Sequence, residues 1–339
     1  MTDTTGQIAT DPIIDRVAPT ALSTCCRAVG QSLAGAVRPR RPDPARIARL
    51  REALVAPPAS SVTVRLRALP QIPRVVRSMT VMEGVRSPAT IRMDMRTYVI
   101  DHPSARILLD PSVASQVRER VLGAMQPMLR AAVMPSPDVL STVEALHRGG
   151  VDPASVDLAL STHLHWDHVS GLLDLPALPL MAHRREHEWA VAGELAPAAG
   201  VRPALAGRTM DLRDLDGPPV LAFPASHDVF GDGAVVLVDL AGHTPGSVGV
   251  LLNTERGRVL MAGDAVWHSE QLVHGAQKAA FPGLLVDVDR DATFATMMRL
   301  MALPGDVTVV PCHDHDLAAR WANDETRAGS RPRSAPPAW

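Results

Sequence analysis

The sequence predicts an α/β fold, and three observations carry that prediction. Compact aliphatic runs of strand length are interleaved with stretches of helical period over most of the chain. Gly, Pro, Asn and Asp punctuate the boundaries between them. Several of the apolar runs end directly in a histidine or an aspartate, as strands do when they deliver side chains to a site at a sheet edge.

The elements follow in order. From Met1 to about Ser60 there is no clean period, and RPRRPDP at 38–44 resists both helix and sheet; only Ala45 to Val55 reads as a helix. From Ser61 the pattern changes, and VTVRLRAL alternates as a half-buried strand should; TIRMDMRTYVI at 90–100 does so again. ARILLDPS is a strand that stops at Pro111 and leaves Asp110 at its end. Gln116 to Ala132 and Asp138 to His147 read as helices, the second closed by Gly149 and Gly150. VDLALS at 156–161 is a short strand that runs into a histidine-rich loop. Beyond it PLMAH, PVLAF, AVVLVDL, SVGVLLN, RVLMAG and VTVVP read as strands, with helices expected at 184–191, 291–302 and 315–322. The expected organisation is an N-terminal extension over 1–60, partly disordered or an arm, a catalytic domain over 61–322, and a disordered tail over 323–339.

Composition narrows the function. With 46 % hydrophobic and 21 % charged residues the chain can build a core, and a formal net charge of -2 offers no basic field to gather nucleic acid or an anionic membrane. A small-molecule partner is expected. Lys278 is the sole lysine among 34 basic residues, which reads as a coding bias towards arginine. Cys25, Cys26 and Cys312 form no disulfide framework, and no stretch has the order of a secretory signal or the ~20 apolar residues that span a bilayer, so a cytoplasmic protein is expected.

The chemistry sits in STHLHWDH, residues 161–168. His163 and His165 are two apart, so in extended backbone both imidazoles face the same way and can grip one cation. Asp167 and His168 project differently and can serve a second cation a few ångströms off. Later strand ends supply more ligands: His243 after AVVLVDL, fixed by the Thr244-Pro245-Gly246 turn, Asp264 after RVLMAG, and His313 after VTVVP. A carboxylate has two oxygens, so Asp264 can bridge both cations, whereas an imidazole offers one lone pair.

His-X-His-X-Asp-His, then Gly-His-Thr-Pro-Gly, then Gly-Asp, then a strand ending in His resembles the signature of the metallo-β-lactamase superfamily, over roughly residues 61–320. The resemblance implies an αβ/βα sandwich of two mixed sheets flanked by helices, with a dinuclear centre in a groove at one edge. It would place His163, His165 and His243 on metal one, Asp167, His168 and His313 on metal two, and Asp264 across both. It further implies two divalent cations, zinc first and manganese, cobalt or iron otherwise, and a homodimer. A metal-bridging hydroxide would attack a small ester, lactone or phosphotriester. Asp167 and Asp264 carry the catalytic roles, Asp167 orienting or accepting the nucleophile's proton, while Asp110 and Thr162 orient ligating imidazoles.

Spacings resemble the lactonase and organophosphate-hydrolase (methyl parathion hydrolase-like) branch. Lactonases there carry a tyrosine three residues after the bridging aspartate; here that position is Trp267. Trp267, His268 and Phe281 resemble the cap over the substrate pocket. Two other functions share much of this ligand set, a glyoxalase II-like thioesterase and a persulfide dioxygenase with one iron; a third reading is a non-catalytic metal-binding relative. His102, His147, His183, His187 and His227 read as surface or packing residues, and His315 as a capping or solvent residue. Cys312 points away from the cations if the strand alternates, and reads as buried packing rather than a ligand.

Overall fold

The computed structural model describes residues 18–125, 127–192 and 201–322. The expected disordered tail at 323–339 lies outside the described residues, as does the start of the N-terminal extension.

The strands are, in chain order, β1 (Arg65–Ala68), β2 (Arg74–Arg77), β3 (Thr90–Met93), β4 (Tyr98–Asp101), β5 (Arg106–Leu109), β6 (Leu158–Leu160), β7 (Leu180–His183), β8 (Met210–Arg213), β9 (Ser226–Asp228), β10 (Val235–Asp239), β11 (Val248–Thr254), β12 (Gly257–Met261) and β13 (Val307–Val310). They form a six-stranded sheet ordered β1-β4-β5-β6-β7-β8, a five-stranded sheet ordered β13-β12-β11-β10-β9, and the separate hairpin β2-β3. Both large sheets are mixed. In the first, β1, β4 and β5 pair antiparallel and β5 to β8 parallel; in the second only the β12–β13 pair is parallel.

Alternation explains how the sheets stack. In β10, Val235 and Leu237 face the first sheet and join Leu66, Ile100, Ile107, Leu109 and Leu160 in the core between the two layers. Val236 and Val238 point the other way, onto Phe294, Met297 and Met298 of the helix Arg290–Met301. On the far side of the first sheet, Ala159, Leu180 and Ala182 pack under Trp166, Val169, Trp189 and Ala190 of the helical layer. The result is the four-layered αβ/βα sandwich expected from the motifs.

Local expectations differ in four places. The segment 90–100 is two strands in different sheets, because Asp94 and Arg96 form a buried ion pair that breaks the run between β3 and β4. The helix expected over 116–132 is three short turns, Val117–Arg120, Leu122–Ala124 and Pro127–Val133, separated at Val121 and again before Pro127. The helix expected from Asp138 begins at Thr142, where Ser141 and Glu144 form a reciprocal capping box that fixes the start. PVLAF closes on itself as the Val220–Phe223 bridge and is no strand of either sheet.

The chain before residue 61 carries a further helix, Ala18–Val37, that periodicity did not indicate. It lies along Ala280–Val286. The expected helix near 45–55 is Pro44–Glu52, started by Asp43, and its Ile47 enters the core beside Arg290–Met301.

Candidate metal centre

Every proposed ligand stands a few residues past the C-terminal end of a strand: His163 and His165 after β6, His243 after β10, Asp264 after β12 and His313 after β13. The helix Trp166–Val169 starts right after His165, so Asp167 and His168 lie on its first turn. Two glycines allow the close approach. At Gly263, φ is +48° and a Cβ would meet Thr162 Oγ1 at 2.8 Å; at Gly246 a Cβ would meet the backbone N of Glu186 at 2.3 Å.

The structure gathers all the proposed ligands except Asp167 into two clusters. His163 Nε2 lies 3.1 Å from His165 Nδ1, which lies 2.9 Å from His243 Nε2, itself 3.2 Å from His163 Nε2. Three lone-pair atoms thus converge on one point, where they cannot all be satisfied by one another. Asp264 stands between this cluster and a second. Its Oδ2 is 3.3 Å from His243 Nε2, and its Oδ1 is 3.2 Å from His313 Nε2 and 3.4 Å from His168 Nε2. Asp167 sits at the margin, with Oδ2 3.7 Å from His313 Nε2.

Ionisation follows from burial and neighbours. Burial, then the surrounding positive groups, hold His163 and His165 well below the usual imidazole range; burial and then Lys278 lower His243. Neutral imidazoles are the form that ligates a cation. Burial opposes the charge of Asp264 as well, but the facing His313 and His243 outweigh it and keep the carboxyl well below its ordinary value. At His168 burial is overridden by Asp110, and at His313 by Cys312 and Asp264, so both are raised. The buried Nε2 of His168 nevertheless has no hydrogen-bond partner. Convergent imidazoles, an ionised carboxylate and that orphaned nitrogen together fit divalent cations.

The orienting residues are partly those expected. Asp110 Oδ2 is 3.0 Å from His168 Nδ1, and the same carboxylate accepts the Thr162 N–H at 2.7 Å and hydroxyl at 2.9 Å. Thr162 Oγ1 in turn lies 3.2 Å from His163 Nδ1. Three further groups escaped sequence reasoning. Asp287 Oδ1 is 2.7 Å from His243 Nδ1 and 2.6 Å from the ammonium of Lys278, so the single lysine is buried as the partner of this carboxylate. Glu186, also buried, accepts the Leu164 N–H at 2.8 Å on one oxygen and the Gly246 N–H at 2.9 Å on the other. It ties the His163–His165 loop to the turn after His243. The sequence signals were slight: Lys278 is unique, and Glu186 falls in a predicted helix.

Cys312 corrects an expectation. β13 ends at Val310 and Pro311 breaks the alternation, so Cys312 and His313 both lie in a turn and both face the centre. The Cys312 thiol donates to Asp264 Oδ1 at 2.6 Å and belongs to the second cluster. His315 is likewise no cap: Asp314 caps the last helix, and His315 Nδ1 lies 2.6 Å from the buried Asp94 carboxylate.

The residues assigned to a pocket wall each have a different partner. Trp267 is buried and its indole N–H donates to Asp264 Oδ2 at 2.7 Å, beneath the Lys278 ammonium. His268 Nδ1 is 3.5 Å from Asp314 Oδ2, and Phe281 donates its backbone N–H to Ser32 of the N-terminal helix. His102 stacks on Phe230, and His183 bonds the Gly246 carbonyl.

The family model described as the metallo-beta-lactamase superfamily matches residues 96–313. The N-acyl homoserine lactonase AttM of Agrobacterium fabrum is 26 % identical over 67 % of this chain and 82 % of its own. The hydroxyacylglutathione hydrolase of Ruegeria pomeroyi is 29 % identical over 57 % of this chain and 61 % of its own. Among solved structures, an AiiA variant of B. thuringiensis with N-decanoyl-L-homoserine at its active site superposes with a TM-score of 0.56 at 18 % identity, covering 76 % of this chain and 96 % of that one. The hydrolase AbOPH reaches a TM-score of 0.54 at 16 % identity, covering 76 % and 90 %.

Proposed function

The chain belongs to the metallo-β-lactamase superfamily and is a metal-dependent hydrolase; on that premise we propose that its substrates are small lactones, whose ring ester it hydrolyses. One observation carries the reading: Asp264 turns one oxygen to the His163–His165–His243 cluster and the other to His168 and His313. We assign the first three histidines to one cation, His168 and His313 to a second with Asp167 at its margin, and Asp264 to both.

Held by these residues, two divalent cations, zinc foremost, would supply Lewis acidity to a substrate carbonyl and to a water. The protein does the rest. Asp287 bonds His243 Nδ1, and the Asp110 carboxylate stands 3.0 Å from His168 Nδ1, which favours Nε2 atoms aimed inward. Asp167, whose side chain keeps 14 % of its exposure, would accept the proton of the attacking water at Oδ2 and give it up to the alkoxide that leaves as the ring opens. The product is the ring-opened hydroxy acid. Trp267 does not replace a phenol donor, because its one N–H is committed to Asp264.

The lactone choice draws support from the relatives named N-acyl homoserine lactonase, and the esters and phosphotriesters of the same chemistry are its nearest competitors. We further propose one catalytic domain over 61–322, a cytoplasmic setting and a homodimer. Among the described residues no helix is long and apolar enough to cross a membrane. The dimer is supported by Val29, Leu33 and Val37, which repeat along one face of Ala18–Val37 and are 46 %, 69 % and 76 % exposed. Sedimentation as a monomer at all concentrations would overturn it.

The deciding experiment pairs elemental analysis of the purified protein with turnover of lactones, aryl esters, thioesters and a phosphotriester. Two equivalents of zinc or manganese and fastest turnover of a lactone, lost in Asp264→Ala, are expected. One equivalent of iron would replace the reading by the dioxygenase, and a clear thioester preference by the glyoxalase II-like activity.

A further inference from the structure

We propose that Cys312 is a direct donor to the second cation, which makes that half of the centre a mixed sulfur, nitrogen and oxygen site. The inference rests on the dinuclear reading above and goes beyond the ligand set that the motifs imply. Cys312 Sγ, His168 and His313 nitrogens and an Asp264 oxygen all lie within 4.8 Å of one another, and all four residues are buried. Around one tetrahedral cation, donor atoms lie roughly 3.3–3.8 Å apart, so this group needs only small adjustments to close on an ion. Asp167 is not in the group, and its nearest approach to His313 is 3.7 Å.

A buried cysteine alone would be a packing residue, and the thiol here also bonds to Asp264. The independent observation is His168. Its Nε2 is buried, lies 3.4 Å from the same Asp264 Oδ1 and has no hydrogen-bond partner. Sulfur, an unsatisfied imidazole nitrogen and a carboxylate oxygen thus face one another among buried residues. When a cation enters, the thiol proton is released to solvent and the sulfur exchanges its bond to Asp264 for a bond to the ion; no oxidation is involved. A thiolate donor also biases the site towards zinc over manganese or magnesium, which prefer oxygen.

The test replaces the native metal of the full-length protein with cobalt(II). Cobalt held by imidazole and carboxylate shows visible ligand-field bands, and a cobalt–thiolate bond adds an intense near-ultraviolet charge-transfer band. The band is expected in the wild type and in Cys25→Ser and Cys26→Ser. It should vanish in Cys312→Ser and Cys312→Ala while cobalt stoichiometry and the visible bands persist. Visible bands with no charge-transfer band in the wild type would overturn the inference and leave the dinuclear reading standing, with Cys312 only a hydrogen-bond donor to Asp264. A band that survives in both Cys312 variants would overturn it too. Failure to take up cobalt at all would sink both. Because the wild-type spectrum decides on its own, a variant that does not fold leaves the test intact.

Discussion

Replacing Glu186 by glutamine isolates one buried carboxylate that holds two ligand-bearing loops together. Its two oxygens accept the Leu164 and Gly246 N–H groups, yet burial outweighs both bonds and pushes its pKa from 4.5 up to about 7. A shift of that size corresponds to ~3 kcal/mol of folding free energy. The sign follows from the direction. With the folded pKa raised, the unfolded chain releases its proton first, so the stabilisation is complete below about pH 4.5 and is lost as pH rises through about 7. Glutamine has no proton to lose. In metal-stripped protein, urea unfolding followed by tryptophan fluorescence should therefore show the stability of the wild type relative to Glu186→Gln falling by ~2.5 kcal/mol between about pH 5 and about pH 8. Taking the difference between the two proteins removes the titration of the histidines, which both share. A gap that does not change with pH would refute the reasoning, since it would mean that Glu186 is ionised throughout and that its two backbone bonds dominate. Whatever the pH, glutamine offers one acceptor to two N–H groups. Cation affinity should fall roughly 10–100-fold in the variant as the two loops loosen.

Other outcomes follow from neighbouring contacts. Asp287→Asn leaves the Lys278 ammonium buried without a carboxylate, and it should destabilise the protein by roughly 3–5 kcal/mol in chemical denaturation; adding Lys278→Met should restore most of that, and a double variant no better than the single would contradict the pairing. Trp267→Phe removes the indole N–H from Asp264 Oδ2 but keeps an aromatic ring under Lys278; kcat/KM should drop roughly 10-fold with a smaller change in KM, and an unchanged kcat would show that the bond does not position Asp264. Zinc added at about 100 times its Kd should stabilise the folded chain by ~2.7 kcal/mol, seen as a rise in Tm that is abolished by joint loss of His163 and His243; a Tm indifferent to zinc would mean that the clusters do not bind it.

What could be read beforehand depended on how far each feature reaches along the chain. The sandwich and most of its candidate ligands were legible because an aliphatic run ending in His or Asp is a local signal. The groups that hold those ligands are not local. Asp287 reaches His243 across 44 residues and Glu186 reaches Leu164 across 22, each from an element with its own reason to exist, so neither spacing marks them. Lys278 did stand out, as the one lysine in an arginine-rich chain, but a composition anomaly says nothing about surroundings until the fold closes Trp267, Asp287 and His243 around it. Cys312 fails for the opposite reason. Alternation was extended past a strand end, and a single proline was enough to turn the sulfur towards the aspartate instead of away from it. Period-based reasoning is therefore least reliable one or two residues beyond a strand, and that is where this fold places its chemistry.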